Sequence, residues 1–151
     1  MPKHSAGLLP YRFRDGVVEV LIGHPGGPFW ARKDDGVWSV IKGEYTDEDP
    51  LVAARREFRE ETGLELPDGE AVALPVIRQR GGKVVTVFAV EADIEVDGAV
   101  SNTFEMEWPP RSGKKQSFPE LDRFEWCSVE RARIKLLAAQ AALLDALPPS
   151  S

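Results

Sequence analysis

Apolar positions along the chain come in short runs separated by glycine, proline and aspartate, a pattern that predicts many strands and two helices. "SAGLLPYRF" and "GVVEVLIGH" read as two strands joined near Asp15-Gly16, a residue pair that favours hairpin turns. "PGGPFWARKDDG" is a loop by its glycine, proline and aspartate density, and "VWSVIKG" returns to strand. "AVALPVIRQR" and "KVVTVFAVEA" flank Gly81-Gly82 and predict a second hairpin, with Pro75 keeping the first run at an edge or bulge. "SNTFEMEW" reads as a further strand and "PPRSGKKQSFPE" as a long basic loop. The last run, "ERARIKLLAAQAALLDAL", has the length and Ala/Leu content of a helix, capped by Ser128 and stopped by Pro148-Pro149.

The central helix carries the candidate chemistry. Asp49 before Pro50 is a start signal, because the aspartate can cap free amides and proline at the first position has no amide to leave unpaired. Gly63 is the matching stop. At about 100° per residue, Leu51, Ala54, Phe58 and Thr62 form the core stripe. Glu57, Glu60 and Glu61 take one flank with the small Ala53, and Arg55, Arg56 and Arg59 take the other. Arg56 and Glu60 make a favourable i, i+4 pair, but Glu57 and Glu61 make a repelling one. Carboxylates gathered in this way suit a hard divalent cation with oxygen ligands. A charged surface helix would carry the same residues, and helical geometry leaves both readings open.

Composition narrows the class. A chain of 151 residues is expected to form a single domain, 1–151, around one core. Apolar residues at 42% and charged residues at 29% give the balance of a globular protein. Nineteen Lys and Arg against 25 Asp and Glu give a net charge of -6, which offers no general footprint for nucleic acid and leaves open a phosphorylated small molecule held by local cations or metal. Cys127 stands alone, with no disulfide partner and no thiolate cluster, and fits a reducing, cytoplasmic setting. No apolar run approaches the length of a membrane span, and the opening residues lack a secretory stretch.

The stretch "GEYTDEDPLVAARREFREETGL", Gly43 to Leu64, resembles the Nudix box, GX5EX7REUXEEXGU with U a bulky apolar residue. From Glu48 onward, Arg56, Glu57, Phe58, Glu60, Glu61, Gly63 and Leu64 all stand where that pattern asks. The loop before the helix is one residue short, with four residues rather than five between Gly43 and Glu48, and Ile41 replaces a proline common before the lysine. Trp38 before the box, a hairpin after it and "FPELDRFEWCSVERA" leading into a last helix follow the family layout. "HPGGPFW", "KGEY" and "SNTFEMEWPPRSG" together resemble a bacterial subgroup of predicted nucleotide pyrophosphohydrolases.

The resemblance implies an α/β fold, the Nudix α/β/α sandwich, with a central mixed β-sheet and the box as loop, helix, loop. It implies metal-dependent hydrolysis, with magnesium or manganese, of a nucleoside diphosphate linked to another moiety, by water attack on phosphorus. On that basis Glu57 and Glu61 are metal ligands, and Glu60 is a third ligand or the group that takes the water's proton. Arg56 tethers the helix to the loop through Glu48 or Glu60, and the Gly43 carbonyl is a candidate ligand beside Lys42. The base could instead lie outside the box, at Glu105, Glu107 or Glu120. Arg111, Lys114 and Lys42, with Lys115, are candidate substrate contacts, as are Arg78, Arg80 and Lys83 around Gly81-Gly82. Phe29 and Trp30 could stack on a base, Trp38 fits the core better, and His4 and His24 receive no role. Dinucleoside polyphosphates or other nucleotides are the expected substrates. The alternatives are a housecleaning hydrolase of nucleoside triphosphates, a catalytically silent nucleotide sensor favoured by the short loop, and an RNA-end processor approached through the basic "PPRSGKK" run. Dimerisation is frequent in the family, so a homodimer is one expectation, although no stripe marks its interface.

Overall fold

Asp15 and Gly16, at φ 50° and 79°, reverse the chain between β1 (His4–Arg14) and β2 (Val17–Pro25), which pair antiparallel with Tyr11 opposite Val20. The structure is a computed structural model that describes residues 3–67 and 69–148. β1 is the organising strand. It pairs antiparallel with β3 (Ile41–Glu44) and parallel with β6 (Lys83–Glu91), so the sheet is mixed. β4 (Ala71–Ala73) and β5 (Ile77–Gln79) both pair with β6, and β9 (Leu121–Ser128) closes the far side against β2.

Alternate residues of the central strands face two different cores, as the two-residue period of a strand requires. Ala6, Leu8, Leu21 and Ile41 meet α1 (Pro50–Thr62) through Ala53, Ala54 and Phe58. Leu9, Val20, Ile22 and Trp38 face the other way, against α2 (Val129–Lys135) and the segment behind it, through Ala132, Leu136, Leu143 and Leu144. Helices on both faces of a mixed sheet make the α/β/α arrangement. No helix among the described residues is long and apolar enough to cross a membrane.

Four expectations need correction. In "VWSVIKG", Trp38 and Ser39 make only single bridges, and the strand is β3 alone. "AVALPVIRQR" is two strands, split where Pro75 cannot donate to the ladder. The basic "PPRSGKKQSFPE" run is not all loop: Lys115–Pro119 is β8, which pairs with β7 (Thr103–Glu107) in a separate two-stranded sheet. Finally, the terminal helix is broken. It runs as α2, then α3 (Ala138–Ala141), then a 3-10 segment Ala142–Ala146. The Ser128 side chain does cap α2, accepting from the Arg131 amide at 3.1 Å. The break comes at Leu136-Leu137, where the Trp38 amide donates to the Lys135 carbonyl and the Leu137 amide donates to the Trp38 carbonyl. Of the expected proline stop, Pro149 lies outside the described residues.

Candidate active site

α1 is a rigid mount made by local chemistry. The Asp49 carboxylate accepts from the Leu51 and Val52 amides at 3.1 and 3.2 Å, and Gly63, at φ 70°, ends the helix by donating to the Arg59 carbonyl. Ala53, Ala54, Phe58 and Thr62 are buried, and Leu51 is half-buried. Packing of this stripe on β1 and β3 turns the acidic flank towards the edge of the sheet. There, Ser5, Lys42, Gly43, Glu44, Glu57, Glu61, Lys83 and Glu120 line one cavity of about 320 Å³. Another cavity beside α1, about 270 Å³, opens on the basic flank at Arg55 and Arg59 and has a single carboxylate, Glu65.

The loop before the helix, although short, brings Glu48 to the site by a left-handed turn at Asp47, φ 55°. Arg56 then grips Glu48 with two bonds, Nη2 to Oε1 at 2.6 Å and Nε to Oε2 at 3.1 Å. Its Nη1 donates to Glu57 Oε1 at 2.9 Å and to Glu60 Oε2 at 3.1 Å. These bonds raise the Arg56 pKa further, and hydrogen bonding from Arg56 holds the Glu48 carboxyl below the usual range. Glu60 is exposed, bound to Arg56, and absent from the cavity lining.

Glu57 and Glu61 differ from Glu60 in burial. Glu57 is 7% exposed and packs on Gly43 so closely that a Cβ there would stand 1.9 Å from its Oε2. Burial raises the Glu57 pKa against the pull of Arg56. Glu61 makes no ion pair among the described residues, and its pKa is pushed up to about 7, first by burial and then by Glu120, Glu57 and Glu60. Burial, and then the charge of Lys83, lowers the pKa of Lys42. Glu120 sits between β8 and β9, its amide donating to the Asn102 carbonyl and its carbonyl accepting from the Gly26 amide.

Carboxylates from two segments, crowded enough to raise a pKa, are the donor chemistry of a hard divalent cation. No three acidic, histidine or cysteine side chains among the described residues converge on one ion position. Mutual repulsion separates such groups, and Arg56 holds Glu57 from one side.

The remaining candidates lie elsewhere. Glu105 and Glu107 are exposed on β7, and Arg111 and Lys114 are exposed in the turn joining β7 to β8. Arg78 is exposed on β5, and none of these five lines the cavity. Phe29 is exposed and meets Trp108 edge-on at 5.5 Å, whereas Trp38 is fully buried. His24 is also fully buried, with Nδ1 2.7 Å from Asp122 and Nε2 2.6 Å from the Lys33 carbonyl, a structural environment. Ser5 is a cavity residue that carried no sequence signal, and Glu44 entered only through the "KGEY" run beside Lys42 and Gly43. For Lys83 the only clue was its place beside Gly81-Gly82.

The family model described as NUDIX domain matches residues 1–147. An RNA pyrophosphohydrolase of Xanthomonas campestris is 48% identical over 61 residues, which are 39% of this chain and only 29% of that protein. The NUDIX domain of Shewanella oneidensis NrtR, solved with ADP ribose, superposes with a TM-score of 0.64 at 14% identity, covering 96% of this chain and 85% of that one. A Caenorhabditis elegans Ap4A hydrolase gives 0.62 at 22%, covering 95% and 93%. At these identities the two structures share the fold.

Proposed function

Because the chain belongs to the NUDIX family, we propose that it is a divalent-metal-dependent hydrolase of a phosphoanhydride bond in a nucleoside diphosphate linked to another moiety. What supports this reading is that Glu57, Glu61 and Glu120 share one cavity with Lys42 and Gly43. A divalent ion bound here, magnesium or manganese, would supply neutralisation of phosphate oxygens and an acidified water. Glu57 and Glu61 would hold it, and the close packing on Gly43 fixes where the Glu57 carboxylate stands. Glu120, on a segment separate from the helix, receives the water's proton. Lys42 offers its ammonium to a phosphate oxygen at the same cavity. Arg56 positions the acids through its bonds to Glu48, Glu57 and Glu60, and Glu60 contributes by anchoring Arg56. Glu105, Arg78, Arg111 and Lys114 are assigned no contact with the reacting phosphorus.

A second reading, hydrolysis at the 5′ end of RNA, is favoured by the 61-residue match to an RNA pyrophosphohydrolase. Product identification by mass spectrometry separates the two. Nucleoside triphosphates, nucleotide sugars, dinucleoside polyphosphates and 5′-triphosphorylated RNA are offered with magnesium or manganese to the wild type and to Glu61→Gln. Turnover of a nucleotide class that falls about 100-fold or more in the variant is the expected result. Release from RNA alone establishes the second reading. Binding of nucleotide without turnover of any substrate overturns both and leaves a sensor.

A further inference from the structure

Glu120 is the single residue between two sheets, because β8 ends at Pro119 and β9 begins at Leu121. Which way it faces depends on the register of β9 against β2. His24 lies opposite Arg123 and Pro25 opposite Leu121, so Asp122 has no partner in this ladder and the strand bulges there. Strand faces alternate, yet Leu121 and Phe124, three residues apart, both pack against the core under α1. Removing the extra residue would turn over Leu121 and the residues before it, Glu120 included.

The bulge is fastened by side chains that the proposed chemistry does not use. His24 is fully buried, and its Nε2 donates to the Lys33 carbonyl at 2.6 Å, since a carbonyl oxygen can only accept. Its Nδ1 lies 2.7 Å from Asp122 Oδ1. The imidazole thus ties the unpaired residue to the loop that follows β2. Next in the chain, the Leu121 amide donates at 3.0 Å to the hydroxyl of Ser101, a residue 6% exposed. The Glu120 amide and carbonyl are themselves bonded, to Asn102 at 2.8 Å and to Gly26 at 2.9 Å. Gly26 comes so near that a Cβ there would stand 1.9 Å from the Pro119 carbonyl oxygen. The backbone is fixed on both sides of Glu120, which lines the cavity shared with Glu57 and Glu61.

We propose that His24, acting through Asp122, is a positioning residue for Glu120, and that Ser101 acts beside it through Leu121. The inference rests on the reading in which Glu120 receives the proton of the attacking water, and it adds how that carboxylate is aimed from outside α1. A proton acceptor works only within hydrogen-bond reach of the water, so a small displacement is expensive in rate. Glu57 and Glu61 are held by the packing of their helix on the sheet. Glu120 has no helix to hold it, and the clamped bulge takes that place.

The clamp is best broken at Asp122, which is exposed, so that its truncation leaves no hole in the core. Asp122→Ala should lower kcat about 10-fold and leave KM within about 2-fold. Asp122→Asn should restore kcat, because an amide donates or accepts and so keeps the bond to either form of His24. In a Glu120→Gln background, Asp122→Ala should have less than about 2-fold further effect, since the group it positions is already lost. Ser101→Ala should follow the same pattern, and circular dichroism checks that each variant is folded. Crystal structures of the wild type and of Asp122→Ala read the placement without any turnover: Glu120 should line the cavity in the first and leave it in the second. Equal losses in the two backgrounds, full kcat in Asp122→Ala or in Glu120→Gln, or a Glu120 unmoved in the Asp122→Ala crystal each overturn the proposal. Turnover by the wild type in those cases leaves the hydrolase reading standing. Displacement of Glu120 as expected, in a protein with no turnover, instead keeps the clamp and removes the hydrolase.

Discussion

Of the residues that line the cavity, Glu57 and Glu61 stand one turn apart on α1, whereas Lys42 and Lys83 come from separate strands on either side of β1. The acidic wall is local. Its spacing, its cap at Asp49 and its stop at Gly63 are written within one short stretch, so helical geometry gathers the acids and the resemblance gives them a role. The basic wall exists only after β1 has paired antiparallel with β3 and parallel with β6, and no spacing along the chain encodes that. A cleft that needs both charges is thus half legible before folding, and perturbing either wall alone should have separable consequences.

The largest effect should come where the walls meet. In Gly43→Ala the new Cβ would fall 1.9 Å from Glu57 Oε2, and the flexible carboxylate, not the backbone, would move. The fold should lose about 1 kcal/mol or less, while displacement by about an ångström of a carboxylate proposed to hold the metal should cost turnover about 100-fold. Steady-state kinetics beside urea denaturation measures both. A variant that keeps turnover would show that the Glu57 carboxylate is not held where the chemistry needs it.

A smaller effect sharpens the acidic wall by itself. Because the folded pKa of Glu61 is raised to about 7 from 4.5, the folded state binds more protons than the unfolded state between those values. Without metal, this site's contribution to stability therefore falls as pH rises from about 4.5 through about 7, and the penalty is full above that window. Glu61→Gln removes the ionising group. In chelator it should be more stable than the wild type by roughly 2 kcal/mol at pH 8, with the difference fading towards pH 4. Urea denaturation at several pH values reads it, and a difference independent of pH would deny that burial and the neighbouring acids raise the Glu61 pKa.

The same contrast between local and long-range signals explains what was legible in the fold. α1 and the terminal run both carry helix-forming residues, but α1 alone is continuous. Its ends are satisfied by its own neighbours, Asp49 and Gly63. The terminal run is interrupted because Trp38, far away in sequence, takes the Lys135 carbonyl and accepts from the Leu137 amide. Gln140, fully buried, then accepts from the Val40 amide at 2.9 Å and donates to Ser39 Oγ at 3.1 Å. Buried backbone groups must find partners, and here that requirement overrides helix propensity. The hairpin of β7 and β8 was missed for a related reason. Its second strand, "KQSFP", is polar and exposed at its start, so alternation gives little signal before β7 lies beside it.

The smallest effect asks how local the acidic wall is. Asp49 caps only the first turn of α1, through the Leu51 and Val52 amides, whereas Glu57 and Glu61 stand in later turns. Arg56 also pins the preceding loop independently through Glu48. Asp49→Ala should therefore lower stability by about 1 kcal/mol, the usual worth of an N-cap, while turnover changes less than about 2-fold, because fraying of one turn stops before the acids. Thermal denaturation and steady-state kinetics on one preparation decide it. A proportionate loss of turnover would mean that the carboxylates depend on the helix entrance, and that the later turns of α1 do not place them by themselves.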